Sequence, residues 1–153
     1  DLIEVVNQPI VDLQPLAESK QLSLSWLKPA SPLMVLANQS QLARVVRNLI
    51  DNAIKYTPAG GSIRVTVSSV SNNGRPTAQI QVSDTGIGIP PLYQPQVFER
   101  FYRVDPSHTI PGTGLGLSIV KEIVALYEGE VHLESVPGQG STFLISLPAL
   151  PSN

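Results

Sequence analysis

A chain of 153 residues with 42% apolar and 14% charged side chains is long enough to bury its own core, which excludes a disordered segment and a miniature scaffold held by staples. The formal net charge of −2 supplies no broad basic field, so a nucleic-acid partner is not expected and phosphate binding has to come from local groups. Cysteine is absent, which removes disulfides and thiolate metal sites, and no apolar run reaches the roughly 20 residues that cross a bilayer.

Leu2, Val5, Val6, Ile10, Leu13, Leu16 and Ala17 recur at spacings of three or four and predict a helix over residues 1 to 19, with Pro9 and Pro15 arguing against its continuity. LSLSW at 22 to 26 alternates apolar and polar residues as a strand does. Pro29 and Pro32 mark a loop, after which MVLA is a candidate second strand. The strongest helix signal begins near Gln39, where Leu42, Val45, Val46, Leu49, Ile50, Ala53 and Ile54 make one apolar face that must end before Pro58. SIRVTVSS and AQIQVSD, joined by the polar turn SNNGRP, form a hairpin-like pair that ends at Asp84. Two prolines, the aromatic and basic segment QVFERFYRVD and the glycine-rich PGTGLGL lead to a helix SIVKEIVALY, ended by Gly129. EVHLES and STFLISLP are the last strands, around the turn VPGQG. This order predicts an α/β two-layer sandwich with helices on one face of a mixed sheet.

Three clusters carry the chemistry. SDTGIGIPP, at 83 to 91, sets one acid beside bare backbone, and Asp84-Thr85-Gly86 fits the turn of an aspartic protease, a purine-reading acid or an ordinary turn. Asn48, Asn52 and Lys55 share a stripe at the border of the long helix's apolar face. Asparagine costs several tenths of a kcal/mol inside a helix, so two on one stripe need a return. A neutral amide oxygen is a hard donor that suits Mg2+ beside phosphates, and Lys55 can meet a phosphate as a point charge. Gly112, Gly114 and Gly116 alternate before a helix, which suits either a phosphate cradle or a flexible turn.

Taken in order, NLIDNAIKYT (48 to 57), DTGIGIP (84 to 90), VFERFYRVD (97 to 105) and GTGLGL (112 to 117) resemble the four boxes of the catalytic, ATP-binding domain of sensor histidine kinases. That domain belongs to the ATPase superfamily shared with gyrase, heat-shock protein 90 and mismatch-repair proteins. The resemblance implies a Bergerat-type fold, with a mainly antiparallel sheet and about three helices on one face, over residues 20 to 150. Residues 1 to 19 would then connect to a dimerisation domain, and 151 to 153 would be a tail. It implies that Asp84 accepts from the adenine amine beside Gly86, Gly88 and Ile89, with Ser141 supporting it directly or through water. Asn52 would hold Mg2+, with Asn48 a turn earlier beside the metal waters or phosphates. Lys55 and Arg103 would contact phosphate, and Tyr56 would pack near base or ribose. Gly112, Thr113, Gly114, Leu115, Gly116 and Leu117 would frame the triphosphate. The implied ligands are ATP and Mg2+, and the implied partners are the parent protein's histidine-bearing dimerisation domain and the receiver domain of a response regulator.

The chain departs from that pattern at VDPSHTIP, about two residues shorter than the usual lid, and Pro111 replaces a common glycine; both should stiffen the loop. Asn38 stands where the family often has Asp. The two histidines, His108 and His132, lie in the lid and in a strand, so neither is expected to accept the phosphoryl group. The first residue is Asp1 rather than Met, so the expectation is a piece of a longer protein: a monomeric, cytoplasmic domain without membrane contact, whose parent is free to be membrane-anchored. Three rivals stand beside this reading. An aspartic protease would need a second Asp-Thr/Ser-Gly or a symmetric dimer. A gyrase or heat-shock type ATPase usually has an acid at the position of Asn48. A nucleotide-binding docking module would hold its ligand without transfer.

Overall fold

The computed structural model describes residues 1–103 and 116–152. Helix α1 (Leu2–Ser19) opens on Asp1, whose side chain accepts from the Ile3 N–H at 2.9 Å. It runs unbroken through Pro9 and Pro15. Each proline removes one backbone bond, but Leu2, Val5, Val6, Pro9, Ile10 and Ala17 are buried on one stripe, and that packing outweighs the local loss.

Strand β1 (Ser23–Leu27) follows, and the expected second strand at MVLA does not form. Val35 makes only an isolated bridge to Ala149. The Leu150 N–H bond to the Met34 carbonyl, 2.8 Å, belongs to that bridge, and the carbonyl before it, that of Leu33, is taken by the Leu2 N–H at the start of α1, so the pairing goes no further on that side.

Helix α2 (Gln39–Tyr56) matches its apolar stripe, and all seven residues of that stripe are buried. Asn38 is its N-cap, with Oδ1 accepting from the Gln41 N–H at 3.0 Å, so the residue that stands in place of Asp keeps a capping oxygen. At the other end Lys20 Nζ donates to the carbonyls of Ile54 and Lys55 at 2.5 and 3.0 Å, a cation on the negative end of the helix dipole.

Strands β2 (Ser62–Asn72) and β3 (Arg75–Asp84) form a longer hairpin than the sequence predicts. Their loop shrinks to Asn73-Gly74, with φ of 52° and 76°, because Asn-Gly tolerates the two positive φ values of a type I′ turn. A 3₁₀ turn at Gln94–Gln96 precedes helix α3 (Gly116–Leu126), which starts two residues earlier than predicted. Strands β4 (Glu130–Val136) and β5 (Gly140–Pro148) complete a five-stranded sheet of order β1-β2-β3-β5-β4, in which only the β1 and β2 pair is parallel.

Alternate residues Ile63, Val65 and Val67 on β2, Ala78, Ile80 and Val82 on β3, and Phe143, Ile145 and Leu147 on β5 join the buried faces of the helices in one core. Arg64, Ser68, Gln79, Gln81 and Ser83 point the other way and are exposed or half-buried. The fold is therefore the expected two-layer α/β sandwich, with three α-helices among the described residues on one face of an open mixed sheet. Leu49, fully buried in α2, tests this core. Leu49→Ala should lower unfolding free energy by about 2–5 kcal/mol, read as a lower urea midpoint at unchanged slope.

Candidate functional site

The hairpin register sets Asp84 opposite Ile63 on β2 and opposite Ser141 on β5, on the helix-facing side of the sheet. Its Oδ1 accepts from the backbone N–H groups of Gly86 at 2.9 Å and Ser141 at 3.2 Å. Burial pushes the carboxyl above its ordinary pKa, and the two N–H donors pull the other way without cancelling that effect. Ser141 therefore supports the acid through its main chain. Its hydroxyl is turned instead to Ser135 Oγ, 2.8 Å away.

The glycines beside Asp84 are bare because protein backbone comes against them. A Cβ on Gly86 would collide with the Tyr56 carbonyl and stand 2.8 Å from Asp84 Oδ1, and one on Gly88, at φ 71°, would collide with the Val136 carbonyl. The same closeness ties the loop after β3 to the end of α2, since the Ile87 N–H donates to the Tyr56 carbonyl at 3.1 Å. Thr57 Oγ1 lies fully buried beside Gly86 with no hydrogen-bond partner among the described residues.

Along α2 the stripe of Asn48, Asn52 and Lys55 is half-buried. Asn48 Nδ2 donates to the Gly116 carbonyl at 3.3 Å, which brings the start of α3 to the helix. Lys55 pairs with Asp51 at 3.0 Å, an acid on the helix that the sequence reading did not single out. From Tyr56 back to Asn48 the helix axis covers about 12 Å, with the loop after Asp84 tied to one end of the stripe and the first turn of α3 to the other. Arg103 and Tyr102 are half-buried, Phe101 is exposed, and Leu117 is half-buried in the first turn of α3. Gly112, Thr113, Gly114, Leu115, His108 and Pro111 lie outside the described residues. His132 is on the exposed side of β4, 3.3 Å from Glu130.

Two residues missed in the sequence hold the loop in place. Ser135 Oγ accepts from the Ile89 N–H at 2.7 Å. Gln94 Nε2 donates to the carbonyls of Ile89 at 2.9 Å and Ser135 at 3.1 Å. Ser135 sits in an alternating strand pattern and Gln94 between two prolines' reach, and neither carries a local signal that forecasts a partner some 40 residues away.

No group of three or more His, Cys, Asp or Glu able to hold a metal occurs among the described residues. A divalent ion here would depend on neutral amide oxygens and on the oxygens of its own ligand, and Asn52, half-buried in mid-stripe, fits that donor type. No helix among the described residues is long and apolar enough to cross a membrane.

Residues 37–151 match the family described as histidine kinase-, DNA gyrase B-, and HSP90-like ATPase, and the chain belongs to that family. It is 40% identical over 99% of its length to drug sensory protein A of Synechocystis sp. PCC 6803, and 42% identical over 97% to the sensor histidine kinase RppB of the same organism. It is 43% identical over 78% to the sensor histidine kinase WalK of Bacillus subtilis. It spans 24%, 32% and 20% of those three proteins. The mycobacterial sensor histidine kinase MprB superposes with a TM-score of 0.81 at 30% identity, covering 99% of this chain and 97% of that one. Full-length ShkA in complex with AMPPNP gives 0.85 at 29% identity, covering 99% and 31%. The chain is thus a catalytic ATP-binding domain of the sensor histidine kinase type.

The raised pKa of Asp84 has a consequence for stability. The folded state holds this proton more tightly than the unfolded chain, so the contribution is present at low pH and is lost as pH rises through the raised value. Asp84→Asn keeps an oxygen for both N–H donors and carries no charge. Its melting temperature should exceed that of the wild type at neutral pH, with the gap closing toward about pH 3. A lower melting temperature at neutral pH would contradict this account of the carboxylate.

Proposed function

We propose that the chain binds ATP with Mg2+ in the groove beside α2 and passes the γ-phosphoryl group to a histidine on a separate dimerisation domain of the same parent protein. The observation that carries this reading is the Asp84 carboxylate, half-buried and held on two backbone amides, in a loop tied to the end of the helix that bears the Asn48, Asn52 and Lys55 stripe.

With Oδ1 occupied by Gly86 and Ser141, Asp84 offers its remaining acceptor capacity to the exocyclic amine of adenine. A 6-oxo purine would present an acceptor there and leave the acid unpaired, which costs on the order of a few kcal/mol. Gly86, Gly88 and Ile89 line the base end, and Tyr56 packs against base or ribose. Asn52 would hold the divalent ion, which would supply neutralisation of the phosphate charge. Lys55 reaches the phosphates by exchanging its partly exposed pairing with Asp51, a contact worth about 0–1 kcal/mol. Arg103, Gly112, Thr113, Gly114, Leu115, Gly116 and Leu117 frame the triphosphate.

The incoming imidazole nitrogen forms the new N–P bond as the bond from γ-phosphorus to the bridging oxygen breaks, and ADP leaves. Asn48, an amide already donating to Gly116, cannot act as a general base toward water, which favours transfer to histidine over hydrolysis. The need for ATP puts the domain in the cytoplasm, and residues 1 to 19 lead to it from the dimerisation domain. The phosphohistidine then serves a response regulator's receiver domain.

Incubated alone with radiolabelled ATP and Mg2+, the chain should stay unlabelled and show no steady hydrolysis. Addition of the cognate histidine-bearing domain should put acid-labile label on that domain. Sustained phosphate release by the lone chain would favour the ATPase reading, and binding without transfer the docking module. Asn52→Ala should lose Mg2+-dependent nucleotide affinity by about tenfold or more in calorimetry while its circular dichroism is unchanged.

A further inference from the structure

Ser135 lies outside the four boxes, yet its hydroxyl is joined to the acid's surroundings on three sides. Oγ accepts from the Ile89 N–H at 2.7 Å, stands 3.0 Å from the Gly140 carbonyl oxygen, and stands 2.8 Å from Ser141 Oγ. A carbonyl only accepts and a backbone N–H only donates, so the one proton of Ser135 is required by Gly140. The contact with Ser141 is then a hydrogen bond only if Ser141 donates. This is the single assignment in which all three contacts are satisfied. It consumes the proton of Ser141 and leaves that hydroxyl with lone pairs only.

We propose that Ser135 is a positioning residue for base selection, which by drawing in the Ser141 proton makes Ser141 and Asp84 an acceptor-only pair that rejects a purine with an oxygen at position 6. The inference rests on the reading of Asp84 as the acid that meets adenine. Ser141 and Asp84 face each other across the β3 and β5 pairing, and the Ser141 N–H already touches Asp84 Oδ1 at 3.2 Å, so the two side chains border the same end of the groove. A 6-amino group donates to both acceptors. A 6-oxo group meets lone pairs on both and finds no donor, since the rotation that would aim the Ser141 proton at it breaks the bond to Ser135. Gln94, which fastens Ile89 to the Ser135 carbonyl, keeps the Ile89 N–H aimed at Oγ and so holds the arrangement from the loop side.

The test compares calorimetric affinities for ATP and inosine triphosphate, both with Mg2+, on the whole chain. The wild type should prefer ATP. Ser135→Ala frees the Ser141 rotor, and the ATP to ITP preference should fall by about tenfold or more, mainly through tighter ITP binding. Ser135→Thr, which keeps the hydroxyl, should restore the wild-type preference. In a Ser141→Ala background the Ser135→Ala change should add nothing, because its effect passes through Ser141. An unchanged preference in Ser135→Ala, or an equal further fall in the Ser141→Ala background, overturns the proposal while the adenine reading survives. A wild type that binds neither nucleotide, or both equally, overturns the adenine reading and this inference with it. Should Ser135→Ala fail to fold, Ser141→Ala and Ser135→Thr decide the matter: the first should lower the preference and the second keep it, and an unchanged preference in the first or a lowered one in the second overturns it.

Discussion

The structure depends on one carboxylate held by two backbone amides. Asp84 accepts from Gly86 and Ser141, one residue beyond its own strand and one on the neighbouring strand, so a single oxygen fixes how the loop after β3 leaves the sheet and how β5 begins. That arrangement exists only in one register. The Asn73-Gly74 turn pairs Asn72 with Arg75 and, nine steps down the ladder, Ile63 with Asp84. A slip of one residue would turn Asp84 to the exposed face and bury Ser83 in its place. The far turn of the hairpin therefore controls the chemistry at its opposite end.

The second constraint is α2, which is both core and wall. Its apolar face is buried, and its border stripe is what a ligand would meet. A helix used this way has to be fixed at its ends, and it is: Asn38 caps the first turn, Lys20 caps the last carbonyls, and Tyr127 of the α3 end reaches Gln41 with its hydroxyl. The Tyr56 carbonyl and the Asn48 amide then spend their hydrogen bonds on the two segments that close the groove, the loop at Ile87 and the first turn of α3 at Gly116. Site and scaffold share the same bonds, so the groove's shape is a property of the core's packing.

Function and stability pull against each other at Asp84. Desolvation disfavours its charged form, and under the proposed adenine reading the same desolvation would make the acid a discriminating partner. Buried Thr57, with its hydroxyl unpartnered among the described residues, adds an unsatisfied group at the same corner, where Gly86 and Gly61 both come close.

Much of this was legible in one dimension. Period-3.6 and period-2 patterns located α2, β2, β3, β4 and β5, since local burial repeats with the geometry of the element. The composition of the site was legible too, because glycine beside an acid and asparagines on one helical stripe are costly locally and mark themselves. The misreadings were those where a distant partner outweighed local chemistry: α1 continues through two prolines because its stripe is buried, and MVLA stays a single bridge to Ala149 because the carbonyl before it, that of Leu33, is taken by α1. Sequence alone determined which residues form helices and strands and which polar groups gather near the site. Only the tertiary structure decided which atoms meet, Ser141 supporting Asp84 by its amide rather than its hydroxyl and Ser135 receiving Ile89, because such pairings follow from sheet register and loop closure, which no local pattern encodes.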